Sequence, residues 1–227
     1  MSQATHQANI QSVVDLILGR LEPDRRTIIA IAGPPASGKT TLTEAVVEHL
    51  NKRAESDPSL KASVLPMDGF HLGNDVLDEL GLRHRKGAVE TFDATAFCTA
   101  LSDLSQSQDE RLLPGFDRSQ DRVVPGKIRV EASTRIIVTE GNYLLLNRSP
   151  WREARDLYAA TVFVTAPLDV LKMRLIERWL DQGLSAQEAQ SKIMNNDLPN
   201  AAMVLSQSQH ADLVIEHHVH DTLAGAL

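Results

Sequence analysis

The stretch TIIAIAGPPASGKTTLTEAVVEHL, residues 27–50, sets three patterns back to back. TIIAIA (27–32) is a short apolar run rich in β-branched residues, which predicts a buried strand. GPPASGKT (33–40) is a loop framed by glycines, and Leu42, Ala45, Val46 and Leu50 then recur at helical spacing. Strand, loop and helix in this order turn backbone N–H groups and a helix N-terminus toward an anion. Gly33 and Gly38 let the chain curl, whereas Pro34 and Pro35 stiffen it and give up their donors. The amides that remain, from Ala36 and Ser37 through Thr40, must do the binding. Thr41 reads as a residue of the first helical turn. Lys39 reaches the outer phosphates of a nucleotide, and the Thr40 hydroxyl is placed to hold Mg²⁺. The chemistry implied is binding of the phosphates of a nucleotide with Mg²⁺.

Outward from this unit, Ile10, Val13, Val14, Ile17, Leu18 and Leu21 predict an amphipathic opening helix that stops before Pro23. Further strands are predicted over ASVLPM (62–67), RIIVTE (135–140), ATVFVT (160–165) and DLVIEH (212–217). Short apolar strands separated by helical stretches imply a parallel sheet, because each parallel crossover carries a helix. Residues 72–133 are less regular and include a solvated turn at SDLSQSQDE (102–110). An insert this long is more than a connection needs and is expected to carry substrate recognition.

The 227 residues suit one domain, 1–227, with the insert and a small lid region at 172–200. The charge of −7 argues against a protein that coats nucleic acid or an anionic membrane, so any phosphate must be held locally. No apolar run is long enough to span a bilayer, and Cys98 is the only cysteine. A cytoplasmic protein without disulfides, monomeric or homodimeric, is expected.

A phosphate loop alone does not distinguish the enzymes that use it; its partner residues do. Asp68 follows the second strand directly, at the same C-terminal sheet edge as the loop, where it can take a proton from an attacking alcohol. His71 stands three residues on and suits either a substrate contact or a backbone hydrogen bond. Glu140 repeats the Asp68 placement on another strand and suits Mg²⁺, directly or through water, or the substrate. Charge developing on a transferred phosphoryl group needs more cations than Lys39. Arg174 and Arg178 lie four apart on one face of the helix predicted over KMRLIERWLDQGLS (172–185). Arg83, Arg85 and Lys86 suit an anionic substrate group or solvent equally. Trp151 and Trp179 read as packing residues, and His217, His218 and His220 as exposed histidines near the end of the chain.

The blocks GPPASGKT, DGFH (68–71), TFDATAF (91–97) and EGNYLLL (140–146) resemble the uridine kinase, phosphoribulokinase and bacterial pantothenate kinase group over nearly the whole chain. MDGFHLGNDVL, GLRHRKGAVETFDATAF, LLPGFDRSQDRVVPG and EGNYLLLNRSPWRE are more similar still to a bacterial subgroup named for a fructose transport system, a label that rests on gene context. The resemblance implies a three-layer α/β P-loop NTPase fold. Its mainly parallel sheet would have about five strands in the order 2-3-1-4-5, flanked by helices. It also implies Asp68 as the base, Glu140 near Mg²⁺ and the acceptor hydroxyl, Asp93 on substrate hydroxyls, an arginine-bearing lid, and Asn200 near the nucleotide base. Where nucleoside kinases place a Tyr-Asp pair and a histidine, this chain has Phe116-Asp117 and Asp121, which weakens a nucleoside reading. The family's second lid arginine falls on Glu177, so Arg178 either substitutes for it or lies elsewhere.

The expected function is transfer of the terminal phosphate of ATP to a hydroxyl of a small metabolite, a sugar such as fructose. The alternatives are a nucleoside or pantothenate kinase and a non-catalytic ATP-binding regulator of a transport system. A GTPase switch is disfavoured, since the only Asn-Lys pair, Asn51-Lys52, is followed by Arg53 and Ala54.

Overall fold

The computed structural model describes residues 3–217. Helix α1 (Gln3–Leu18) buries Ile10, Val13, Val14 and Ile17, the stripe predicted from spacing. Strand β1 (Thr27–Ala32) is buried along its whole length. It runs through the phosphate loop into helix α2 (Lys39–Ala54). Strands β2 (Ala62–Pro66), β5 (Ile136–Gly141), β6 (Ala160–Thr165) and β7 (Leu213–Glu216) complete a five-stranded sheet in the order β2-β5-β1-β6-β7. Every pairing in it is parallel. Counted along the chain, this is the expected order 2-3-1-4-5.

Strand alternation divides the core into two layers. Ile29 and Ile31 of β1 pack with Ile136 and Val138 of β5 and with residues of α1 and α2. Ile28, Ala30 and Ala32 point the other way, toward Phe97, Leu101 and Leu104 of helix α4 (Ala94–Gln106), Trp151 and Tyr143. Trp151 is therefore a core residue, as expected.

Between β2 and β5 the chain is more regular than its composition suggests. Helices α3 (Asn74–Glu79) and α4 precede a hairpin of β3 (Arg111–Asp117) and β4 (Arg122–Val130). The solvated turn expected at 102–110 is instead partly helix, because Leu101 and Leu104 keep the buried face of α4 going through Ser102, Asp103 and Ser105. The stem of this region is tied to β1 by Arg26, which is 1% exposed. Its guanidinium donates to the carbonyls of Ser107, Gln108, Asp109, Glu131 and Thr134.

After β6 come α5 (Leu168–Asp181), α6 (Ala186–Lys192) and α7 (Leu198–Gln207). A π-helical turn, Ile193–Asp197, joins the last two. Pro199 sits in the first turn of α7, a position that needs no proline N–H, and so does not stop the helix.

Candidate active site

Parallel pairing brings the ends of three strands together. Ala32 of β1 is in register with Gly141 of β5, and Pro66 of β2 with Glu140. The phosphate loop, Asp68 and Glu140 therefore open onto one edge of the sheet, at a cleft of about 950 Å³. Seven Lys and Arg residues line it against four Asp and Glu, a local positive excess in a chain of net charge −7.

Ala36 and Gly38 take positive φ of 64° and 93°, which turns successive amides of the loop inward. The Ser37 hydroxyl is buried and has no protein partner. A buried unpaired hydroxyl is costly, and a phosphate oxygen would satisfy it. The Lys39 ammonium lies 3.5 Å from the Pro34 carbonyl. Burial lowers its pKa, while Glu140 and Asp68 pull it back up. Arg174 of α5 donates to the Ala36 and Ser37 carbonyls at 3.3 and 3.5 Å, so the loop and α5 are in contact.

Glu140 is 4% exposed. Burial raises its pKa, and Lys39 and a hydrogen bond with Thr40 counter that rise. The Thr40 hydroxyl and the Glu140 carboxylate are hard oxygen donors of the kind Mg²⁺ takes. Among the described residues no cluster of three or more metal-binding side chains exists. Mg²⁺ at nucleotide sites draws its remaining ligands from water and phosphate oxygens, so one carboxylate and one hydroxyl suffice.

Asp68 lies in the 3-10 turn that follows β2. Its Oδ2 accepts a hydrogen bond from Nη2 of Arg118 at 2.8 Å. Arg118 just follows β3, and the hairpin reaches Asp68 because Gly69 has no side chain: a Cβ there would lie 2.3 Å from the Pro114 carbonyl oxygen. Sequence reading passed over Arg118; its only signal was a cation directly after Phe116-Asp117.

His71 donates from Nδ1 to the Asp68 carbonyl at 2.8 Å. Its ring packs between Phe92 and Phe116, with centroids at 4.0 and 4.9 Å. Burial lowers its pKa. The bond to a carbonyl fixes the proton on Nδ1 and leaves Nε2 as an acceptor in a residue that lines the cleft. Both readings of His71 are thus compatible.

Phe116, Asp121, Arg174, Arg178 and Asn200 also line the cleft. Asp121 pairs with Lys86 at 2.8 Å and with Arg83 at 3.6 Å. Two expected substrate residues do not line it. Asp93 instead caps α4 by accepting from the Ala96 N–H, and it borders a separate hollow against β3. Arg85 binds the Asn195 carbonyl and Glu90, whereas its neighbours Arg83 and Lys86 face the cleft.

Trp179 is not the packing residue expected. It lines the cleft, donates from Nε1 to Asp197 at 2.7 Å, and carries the Lys192 ammonium 3.8 Å from its ring centre. Burial pushes the Asp197 carboxyl up, and the Trp179 N–H holds it back. His217 is buried beside Gly38 rather than exposed, because its N–H continues the β7 pairing to Thr165. His218 and His220 lie outside the described residues.

The sheet order, the loop and the carboxylates at one strand edge define a P-loop phosphotransferase architecture. The chain matches the Phosphoribulokinase / Uridine kinase family over residues 28–224 and belongs to it. It is an ATP-using small-molecule kinase. It is 37% identical over 200 residues to the uncharacterized protein YggC of Escherichia coli K12, covering 88% of this chain and 81% of that one. A Schizosaccharomyces pombe protein named provisionally as a uridine kinase is 34% identical, with 86% and 85% covered. Among solved structures, one from Silicibacter sp. TM1040, named provisionally as a fructose transport system kinase, superposes with a TM-score of 0.83. It is 35% identical, with 90% of this chain and 98% of that one covered. D-glycerate 3-kinase from Cryptococcus neoformans shares the fold at a TM-score of 0.71 and 13% identity, with 93% and 96% covered.

Proposed function

We propose that this kinase transfers the terminal phosphoryl group of ATP to a hydroxyl of a sugar or sugar-like alcohol, with Asp68 as the base. The observation that carries this reading is the shared sheet edge, where Asp68, Glu140 and the phosphate loop face one cleft. Asp68 orients the acceptor hydroxyl and takes its proton as the new O–P bond forms and the bond from the γ-phosphorus to the ADP oxygen breaks. ADP leaves with that electron pair.

Loop amides, the Ser37 hydroxyl and Lys39 hold the phosphates, and Arg174 and Arg178 neutralise charge on the moving group. Thr40 and Glu140 hold Mg²⁺, which when bound screens the outer phosphates. Residues 172–200 act as the lid and 72–133 as the acceptor-binding insert, excluding water and suppressing ATP hydrolysis. Fructose is a first acceptor to test, because the Silicibacter relative carries that name. Phe116 and Asp121 disfavour a nucleoside, since they stand where nucleoside kinases carry a phenol and an imidazole. The protein is placed in the cytoplasm, where its one thiol, Cys98, stays reduced.

The test is ADP release with Mg²⁺ and ATP, with and without hexoses, pentoses, polyols, uridine, cytidine and pantothenate. One acceptor should stimulate release in the wild type and not in Asp68→Asn. Acceptor-stimulated release that survives Asp68→Asn would contradict the assignment of the base.

A further inference from the structure

The cationic residues of the cleft are unevenly spread. Arg174 reaches the carbonyls of the phosphate loop, whereas Arg83, Lys86 and Arg118 come from the other wall, on and beside the hairpin region. Within the cleft lining these three face two paired carboxylates, and Arg83 also reaches Asp78, outside that lining, at 3.2 Å. Asp121 is shared between Lys86 and Arg83, and Asp68 forms the ion pair with Arg118.

Arg118 uses one of its five N–H donors in that contact, and its side chain is 57% exposed. If Asp68 takes the acceptor proton it becomes neutral, and Arg118 then loses the counter-charge of its ion pair. A guanidinium with free donors, next to a carboxylate that is neutralised during the reaction, is suited to an anion on the substrate itself.

A second observation points to the same wall. Asn200 is 2% exposed, lines the cleft, and has an Oδ1 without a partner. The orientation of its amide is fixed through a chain of bonds. The Lys86 carbonyl can only accept, so Asn196 must present Nδ2 to it, at 3.0 Å. Asn196 Oδ1 then accepts from Asn200 Nδ2 at 3.3 Å, which leaves Asn200 Oδ1 as a buried acceptor. Such an atom calls for a hydroxyl or N–H donor from a ligand. The chain of bonds links it to Lys86 of the acceptor wall, in addition to any role beside the nucleotide.

Building on the kinase reading above, we propose that the phosphate acceptor is itself an anion, a carboxylate or phosphate ester that also bears free hydroxyls. Arg118, supported by Arg83, clamps the anionic group, and Asn200 accepts from a hydroxyl. A plain neutral sugar satisfies Asn200 but brings Arg118 no anionic group of its own.

The test is calorimetric binding to the full-length protein with Mg²⁺ and a non-hydrolysable ATP analogue, so that the phosphate loop is already filled. Glycerate and glycerol 3-phosphate are compared with glycerol, and fructose 6-phosphate with fructose; the first two separate carboxylate from phosphate. At least one anion should bind about tenfold more tightly than its neutral counterpart. Arg118→Gln should remove that difference. Arg129→Gln, which removes the same charge from the same hairpin outside the cleft lining, should keep it. Equal or tighter binding of the neutral compounds, a preference that survives Arg118→Gln, or no saturable binding of any anion would overturn the proposal. ADP release in parallel separates the two readings. A neutral sugar that is phosphorylated while no anion binds removes this inference alone, and an anion that binds without ADP release removes the kinase role of the site alone.

Discussion

Asp68 and Arg118 stand fifty residues apart in sequence, yet their side chains meet at 2.8 Å. The contact joins the turn after the edge strand β2 to the tip of the separate hairpin, so the proposed base is set by two structural units. It depends on the sheet to fix Asp68 and on Gly69 to let the hairpin approach.

Removing the proposed base should slow chemistry and spare nucleotide binding. Asp68→Asn is expected to lower acceptor-dependent turnover by roughly 10²–10⁴-fold, the range for general-base removal. Affinity for ATP, measured by calorimetry, should change little. A parallel loss of ATP affinity would mean that Asp68 belongs to the nucleotide site.

Gly69→Ala tests the approach of the hairpin. The added methyl meets the Pro114 carbonyl, so β3 must move back and carry Phe116 and Arg118 with it. Displacements of about 1 Å at a reacting site cost on the order of 10²-fold in rate. Acceptor-dependent turnover should fall to that degree, with ATP affinity near wild type.

Arg26 is predicted to be the main polar staple between β1 and the hairpin stem. Arg26→Ala leaves five carbonyls without their shared donor and should destabilise the protein by about 3 kcal/mol or more. Thermal unfolding should show a drop of roughly 6–12 °C. Arg26→Lys should recover only part of it, because an ammonium lacks the planar fork.

His71 gives a pH-dependent signature. Burial lowers its pKa in the folded state, so between that value and the unfolded value of about 6.5 the unfolded chain binds more protons. Its contribution to stability is complete above about pH 6.5 and is lost as pH falls through the folded value. The stability difference between wild type and His71→Phe, from urea denaturation, should therefore shrink between pH 7.5 and 5.5. A difference that stays constant or grows toward acid would contradict this placement of the ring.

The strands and the phosphate loop were legible because short β-branched runs and a glycine-framed loop act locally, whereas the strand order came only with the family resemblance. Glu140 and Asp68 could be placed because each ends a strand. Arg118, Trp179 and Asp197 were not read, since their roles depend on how the hairpin and the α5–α7 segment fold back onto the cleft. Asp93 shows the converse: a motif put it on substrate, and the structure uses it as a helix cap. Arg85 differs from Arg83 and Lys86 only in the direction a 3-10 turn gives it, which composition does not record.

We propose that ATP is used here to phosphorylate a small molecule and that Asp68 enables the transfer. The most direct measurement incubates the protein with Mg²⁺, γ-labelled ATP and a deproteinised metabolite extract, and follows where the label goes. The account predicts label in an organic phosphate with the wild type and loss of that product with Asp68→Asn. Label found only in inorganic phosphate, or an organic product made equally well by Asp68→Asn, would contradict it.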